Sequence, residues 1–136
     1  MSSRLQPTSP GEPAERGERP WGRWCVLDRG RGYQVKLIEV RPGQRLSLQY
    51  HGHRSEIWVQ VAGTALVTVG KRSFSPLPLQ PVVIPVGTVH RLGNPGKDVL
   101  RIIEVQQGDW ISEDDIVRLE DDYRRAPPTA VTTRSS

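Results

Sequence analysis

The sequence predicts an all-β domain, and three observations carry that expectation. Short runs rich in Val, Ile, Leu and Tyr recur between residues 33 and 105, and Gly- and Pro-containing turns separate them at short, regular intervals. The first of these runs alternates in side-chain character, as a strand with two different faces does. Only one segment, residues 112–123, reads as helical. Regularly spaced short strands with such turns indicate a sandwich or a closed barrel. At 136 residues the chain is long enough for one domain with its own core and no disulfides.

Taken in order, residues 1–18 hold Ser, Pro, Glu, Arg and Gly with almost no large apolar side chains, and are expected to be a disordered tail. Residues 126–136 have the same character, so the folded unit is expected over 19–125. Strands are expected at residues 33–40, 46–50, 56–61, 64–69, 82–84, 89–92 and 99–105. Arg41-Pro42-Gly43-Gln44 is a turn, Ala62-Gly63 reads as a tight hairpin, and Pro76, Pro78 and Pro81 interrupt the chain before Val82. Ser112 is a credible N-cap, and Glu113, Asp114 and Asp115 in the first turn suit the helix dipole. Ile116 and Leu119 then share a helical face.

Charge excludes some functions. Nineteen Lys and Arg against fifteen Asp and Glu leave +4, scattered with no basic run, so neither a nucleic-acid partner nor a membrane surface is expected. A local Arg/Lys cluster remains compatible with a small anionic ligand. The lone Cys25 cannot form an internal disulfide and reads as a small core residue in a reducing compartment. No apolar signal segment follows Met1, and the cytoplasm is the expected location.

All three histidines fall in two windows. The first is Gln49-Tyr50-His51-Gly52-His53-Arg54-Ser55-Glu56-Ile57-Trp58, followed by Gly63; the second runs from Pro85-Val86-Gly87 through His90 to Asn94. Alternation points Gln49 and His51 the same way, and Glu56 with Trp58. Gly52 permits a tight turn between them, and His90, just after a Pro-x-Gly turn, could close the set. Gln49, His51, Glu56 and His90 would then form an N/O site with room for water or substrate, as in catalytic rather than closed structural metal sites.

The spacing Gln49-x-His51-x4-Glu56-x6-Gly63 and Pro85-x-Gly87-x2-His90-x3-Asn94 resembles the two cupin motifs, with Gln49 where His is usual. Arg19-Pro20-Trp21-Gly22, Tyr33-Gln34-Val35-Lys36, Leu46-Ser47-Leu48-Gln49, His53-Arg54-x-Glu56-x-Trp58, Ile103-Glu104-Val105-Gln106 and Glu113-Asp114-Asp115-Ile116-Val117-Arg118 narrow the resemblance to type II mannose-6-phosphate isomerase domains. In bacteria these lie at the C-terminus of bifunctional isomerase/mannose-1-phosphate guanylyltransferases. The resemblance implies a cupin double-stranded β-helix (jelly-roll barrel) with a short C-terminal helix. It implies a divalent metal, zinc first and manganese, cobalt, iron or nickel as alternatives, and a sugar-phosphate ligand. It further implies a homodimer. The expected activity is metal-dependent interconversion of mannose 6-phosphate and fructose 6-phosphate through an enediol, in polysaccharide precursor metabolism. A non-catalytic module that binds a sugar or sugar phosphate is the alternative. The chain shows no Gly-rich phosphate loop, so guanylyltransferase activity is not expected. The family's usual His is Ile57 here, and strand parity points Ile57 away from Glu56.

Isomerisation also needs a proton shuttle and cations for phosphate. His53 follows the parity of His51 and is a candidate base, against the competing account of a solvent-facing turn histidine. Lys36 faces opposite to Val35 and Leu37 and Arg54 shares the face of Glu56, so both are candidate phosphate ligands. Glu104 is a candidate proton carrier. Arg91 alternates away from His90 and reads as a surface arginine, and Trp58 as a core aromatic.

Overall fold

Antiparallel pairing organises residues 15–125, the part that this computed structural model describes, into two facing sheets. The strands are β1 (Arg16–Arg19), β2 (Gly22–Gly30), β3 (Tyr33–Val40), β4 (Leu48–Tyr50), β5 (Arg54–Ala62), β6 (Leu66–Val69), β7 (Arg72–Phe74), β8 (Val82–Ile84), β9 (His90–Gly93), β10 (Leu100–Gly108) and β11 (Val117–Glu120). One sheet has the order β1-β2-β3-β10-β5-β8 and the other β11-β4-β9-β6-β7. The all-β expectation holds, and the expected strand over 33–40 is β3 to the residue.

Register explains where the site sits. Directly opposed residues of an antiparallel pair share a face. In the larger sheet, Gln106 lies opposite both Gln34 and Glu56, Glu104 opposite Lys36 and Trp58, and Ile102 opposite Ile38 and Gln60. These three rows point inward and all nine residues are buried. The third row joins an apolar core of Trp24, Val40, Val67, Ile84, Leu92 and Leu100. Each such fully buried aliphatic side chain contributes about 1.5–3 kcal/mol. The first two rows are largely polar, which is costly to bury unless every group is bonded. The interior is thus divided: an apolar end holds the sheets together, and a polar end forms a cavity. Val35, Leu37, Ile57 and Val105 take the alternate positions, so the larger sheet carries its apolar side chains outward here; Ile57 is 39% exposed beside a buried Glu56.

Four expectations are corrected. No helix occurs among the described residues, and the C-terminal helix expected over 112–123 is replaced by a turn and β11. The Ser112 carbonyl and hydroxyl accept the amides of Asp115 and Asp114, closing a single turn. The Asp115 carboxylate is drawn to the distant amides of Gly52 and His53, and Val117 to Glu120 then pair with β4. A twelve-residue helix is marginal alone, and strand pairing overrides it. Ala62-Gly63 is not a hairpin, because β5 and β6 belong to different sheets. Gly63 has φ +84°, and a Cβ there would stand 2.7 Å from the Val99 carbonyl oxygen, so glycine serves a close crossing against the start of β10. Arg72–Phe74, outside all the expected strands, pairs with β6 as β7. Finally, β1 and β2 were not anticipated, and β1 begins inside the segment assigned to the N-terminal tail, paired with β2. The remainder of both expected tails, residues 1–14 and 126–136, lies outside the described residues. No helix among the described residues is long and apolar enough to cross a membrane.

Candidate metal centre

The two histidine windows meet across the smaller sheet. Gln49 on β4 lies opposite His90 on β9, and the Gly87 amide, in the turn before β9, donates to the His51 carbonyl at 2.8 Å. Glu56 comes from the facing sheet on β5. His51, Glu56 and His90 are 3%, 2% and 1% exposed, and one ligand atom from each lies within 4.8 Å of the others. His51 Nε2 is 3.3 Å and His90 Nε2 3.8 Å from the two Glu56 oxygens. Gln49 lines the same cavity, and its amide nitrogen donates to the Ser47 carbonyl, which leaves its oxygen as the ligand end.

Both imidazoles are held by their other nitrogen. His51 Nδ1 lies 2.6 Å from the Asp115 carbonyl and His90 Nδ1 2.8 Å from that of Thr88. A carbonyl only accepts, so each Nδ1 carries the proton and each Nε2 presents a lone pair to the cavity. Burial, with the Arg54 charge next, lowers His51 to about 4, and burial lowers His90 too. Neutral rings, a carboxylate and an amide oxygen fit a borderline divalent ion, and ligands at about 2.0–2.2 Å from one ion stand roughly 3–3.5 Å apart. The Nε2–carboxylate distances nearly meet that spacing already.

The cavity wall carries the other predicted groups unevenly. Lys36 is buried, ion-paired with Glu113, and its Nζ lies 4.2 Å over the Trp24 ring. Lys36 and its neighbours hold Glu113 below the usual carboxylate range even though burial works to raise it. Arg54 is buried and donates to Glu56 at 2.9 Å and to the Ser112 carbonyl at 2.9 Å, with Nη2 3.3 Å from His51 Nε2. Glu104 accepts Trp58 Nε1 at 2.9 Å and Gln106 Nε2 at 2.8 Å. Burial, reinforced by the neighbouring Glu56 charge, pushes its carboxyl up to about 8. Trp58 is a buried aromatic with a second task, because its indole N–H also donates to Glu56 at 3.1 Å.

His53 does not join them. It is half exposed, 3.6 Å from Asp109 and edge-on to Trp110 at 5.1 Å. The turn at Gly52 breaks the parity that would have carried it inward. Arg91 is no surface arginine: it is 8% exposed and donates to the Leu46 carbonyl at 2.9 Å and to Glu120 at 3.2 Å, tying β9 to the segments that flank β4. Gln34, Gln106 and Asp115 went unrecognised. Parity with Lys36 and Glu104 could have placed the two glutamines, whereas nothing local ties Asp115 to Gly52, 63 residues away.

Fold and site together define a cupin with a metal-type donor set. The chain belongs to the family described as mannose-6-phosphate isomerase C-terminal, whose model matches residues 12–121. It is 52% identical over 113 residues to the alginate biosynthesis protein AlgA of Pseudomonas aeruginosa, covering 83% of this chain and 24% of that one. It is 50% identical over 107 residues to the mannose-1-phosphate guanylyltransferase ManC of Salmonella typhimurium, covering 79% and 22%. The Schizosaccharomyces pombe Cnp3 cupin domain superposes with a TM-score of 0.61 over 74% of this chain and 71% of that one, at 16% identity, which supports the fold alone.

These relatives correct the functional expectation. The chain spans about a quarter of their length, and their names are those of alginate biosynthesis and of a guanylyltransferase. Those names, and a match to under a quarter of each protein, do not support a chain that interconverts mannose 6-phosphate and fructose 6-phosphate by itself. The family membership stands; the self-sufficient isomerase does not.

Proposed function

We propose that this chain is the metal-dependent, phosphosugar-handling part of a two-part system in polysaccharide precursor biosynthesis, working in the cytoplasm with a guanylyltransferase unit on the same or another chain. The observation that carries this is the convergence of His51, Glu56 and His90 with Gln49 in a cavity walled by Lys36 and Arg54. Zinc is the proposed ion, and when bound it supplies a Lewis acid for a sugar carbonyl or hydroxyl oxygen. Glu104, whose proton affinity is raised into the neutral range, holds or releases a proton at the cavity wall, where a catalytic acid or base works best. It takes the role expected of His53. Lys36 and Arg54 hold negative charge beside the centre, and Asp115 orients His51 through its backbone carbonyl.

The test compares the zinc-loaded chain alone with the chain mixed with, or fused to, a guanylyltransferase unit of the kind found in its relatives. Isomerisation of a hexose 6-phosphate is expected only in the combination, and is expected to disappear with His51→Ala. Full turnover by the isolated chain, or none in either form, contradicts the reading.

A further inference from the structure

A row of opposed residues crosses the smaller sheet: Arg118 on β11 lies opposite Gln49 on β4, and Gln49 opposite His90 on β9. The three therefore share the face that looks into the cavity, and all three line it. Strands lie about 4.8 Å apart, so the Arg118 backbone stands ~10 Å from that of His90, the reach of a phosphorylated six-carbon sugar.

The charged groups of this cavity are mostly paired. Lys36 is matched by Glu113, Arg54 by Glu56, and Arg125 by Asp121, whose carboxylate also accepts the amides of Tyr123 and Arg125. Arg118 is different. Its Nε is buried with no hydrogen-bond partner, and no ion pair holds its guanidinium among the described residues. Arg19, which also lines the cavity, donates to the Glu18 carbonyl and lies over the Trp24 ring at 5.6 Å, likewise without an ion pair among the described residues. Burial, and then the charges of Arg125 and Arg19, hold Arg118 below the usual arginine value against the opposite pull of Asp121 and Glu113. A buried donor without an acceptor is costly, and like charges beside it add to that cost. An anion relieves both, and the planar guanidinium fork matches phosphate oxygens.

We propose that Arg118, with Arg19 and Arg125 around it, is the subsite for a phosphate monoester, one strand beyond Gln49, so that the sugar attached to it extends toward His90 and His51. This rests on the reading of the cavity as a phosphosugar site. It assigns the phosphate to β11 and leaves Lys36 and Arg54 to the metal end.

Calorimetric titrations of the full chain with inorganic phosphate, mannose 6-phosphate, unphosphorylated mannose and zinc alone test it. Arg118→Met is expected to weaken both phosphate-bearing ligands by about tenfold or more, leave zinc and mannose titrations unchanged, and be partly rescued in Arg118→Lys. Loss confined to mannose 6-phosphate identifies a subsite for the esterified sugar; equal loss for inorganic phosphate identifies a general phosphate site, and either supports the assignment. Arg19→Met, on a partly exposed strand, repeats the test should Arg118→Met melt early. Wild-type affinity for mannose 6-phosphate in both variants, or no binding of mannose 6-phosphate by the wild type, overturns it. If zinc fails to bind while phosphate binding still depends on Arg118, the metal reading falls and the subsite stands.

Discussion

Glu104 shows how a single side chain carries both folding and chemistry. Its folded value near 8 lies above the ordinary 4.5, so its contribution to stability is fully present below about 4.5 and is lost as pH rises through 8. His51, lowered to about 4 from 6.5, and His90, lowered too, act with the opposite sign: their contributions are full above 6.5 and are lost as pH falls. Above 6.5 only the Glu104 effect remains. The metal-free protein is therefore expected to lose stability as pH rises from 6.5 to 8, read as a falling urea midpoint in the presence of a chelator. Glu104→Gln, though less stable overall, should lose that decline; an unchanged slope in the variant contradicts the assignment. At this scale much was legible. Parity placed Lys36, Arg54 and Ile57 correctly because each lies within a continuous strand. It misplaced His53 because Gly52 interrupts the strand there, and Arg91 because its cover comes from Glu120, 29 residues away in sequence.

Among the elements, the turn over 112–116 matters most to the centre. Its Asp115 uses both ends: the carboxylate accepts the Gly52 and His53 amides at 2.8 and 2.9 Å, and the carbonyl accepts a hydrogen bond from the His51 ring N–H. Asp115→Ala leaves two amides to find other partners and loosens the loop that aims His51. It is expected to cost about 1–3 kcal/mol of stability and roughly tenfold in zinc affinity, measured by thermal unfolding and by competition with a chromophoric chelator. Wild-type zinc affinity in a folded variant would show that the loop does not orient the ligand. This element was misread as a helix for a physical reason. Ser-Glu-Asp-Asp with Ile116 and Leu119 satisfies every local helix signal, yet the partners that decide its conformation, Gly52 and the edge of β4, are more than sixty residues distant.

The whole molecule separates support from chemistry. One end of the interior is filled by Val40, Leu92, Leu100 and Ile102; the other is lined by Gln34, Lys36, Glu56, Glu104 and Gln106. The strand pattern made the two-sheet fold readable, because turns and alternation are local. Of the early strands, Arg16 to Arg19 is polar throughout and gives no apolar signal, whereas β2 carries one run, Trp24-Cys25-Val26-Leu27, that does not alternate and ends in Asp28-Arg29-Gly30. The relatives add what no fold could: in them, the matching region is less than a quarter of a much longer protein. On the proposed reading, the two sheets together build one divalent metal site from Gln49, His51, Glu56 and His90. Elemental analysis of the purified chain after zinc loading and dialysis tests it directly. One zinc ion per chain is expected in the wild type and almost none in folded His51→Ala. Equal metal in both proteins, or none in the wild type, would contradict it.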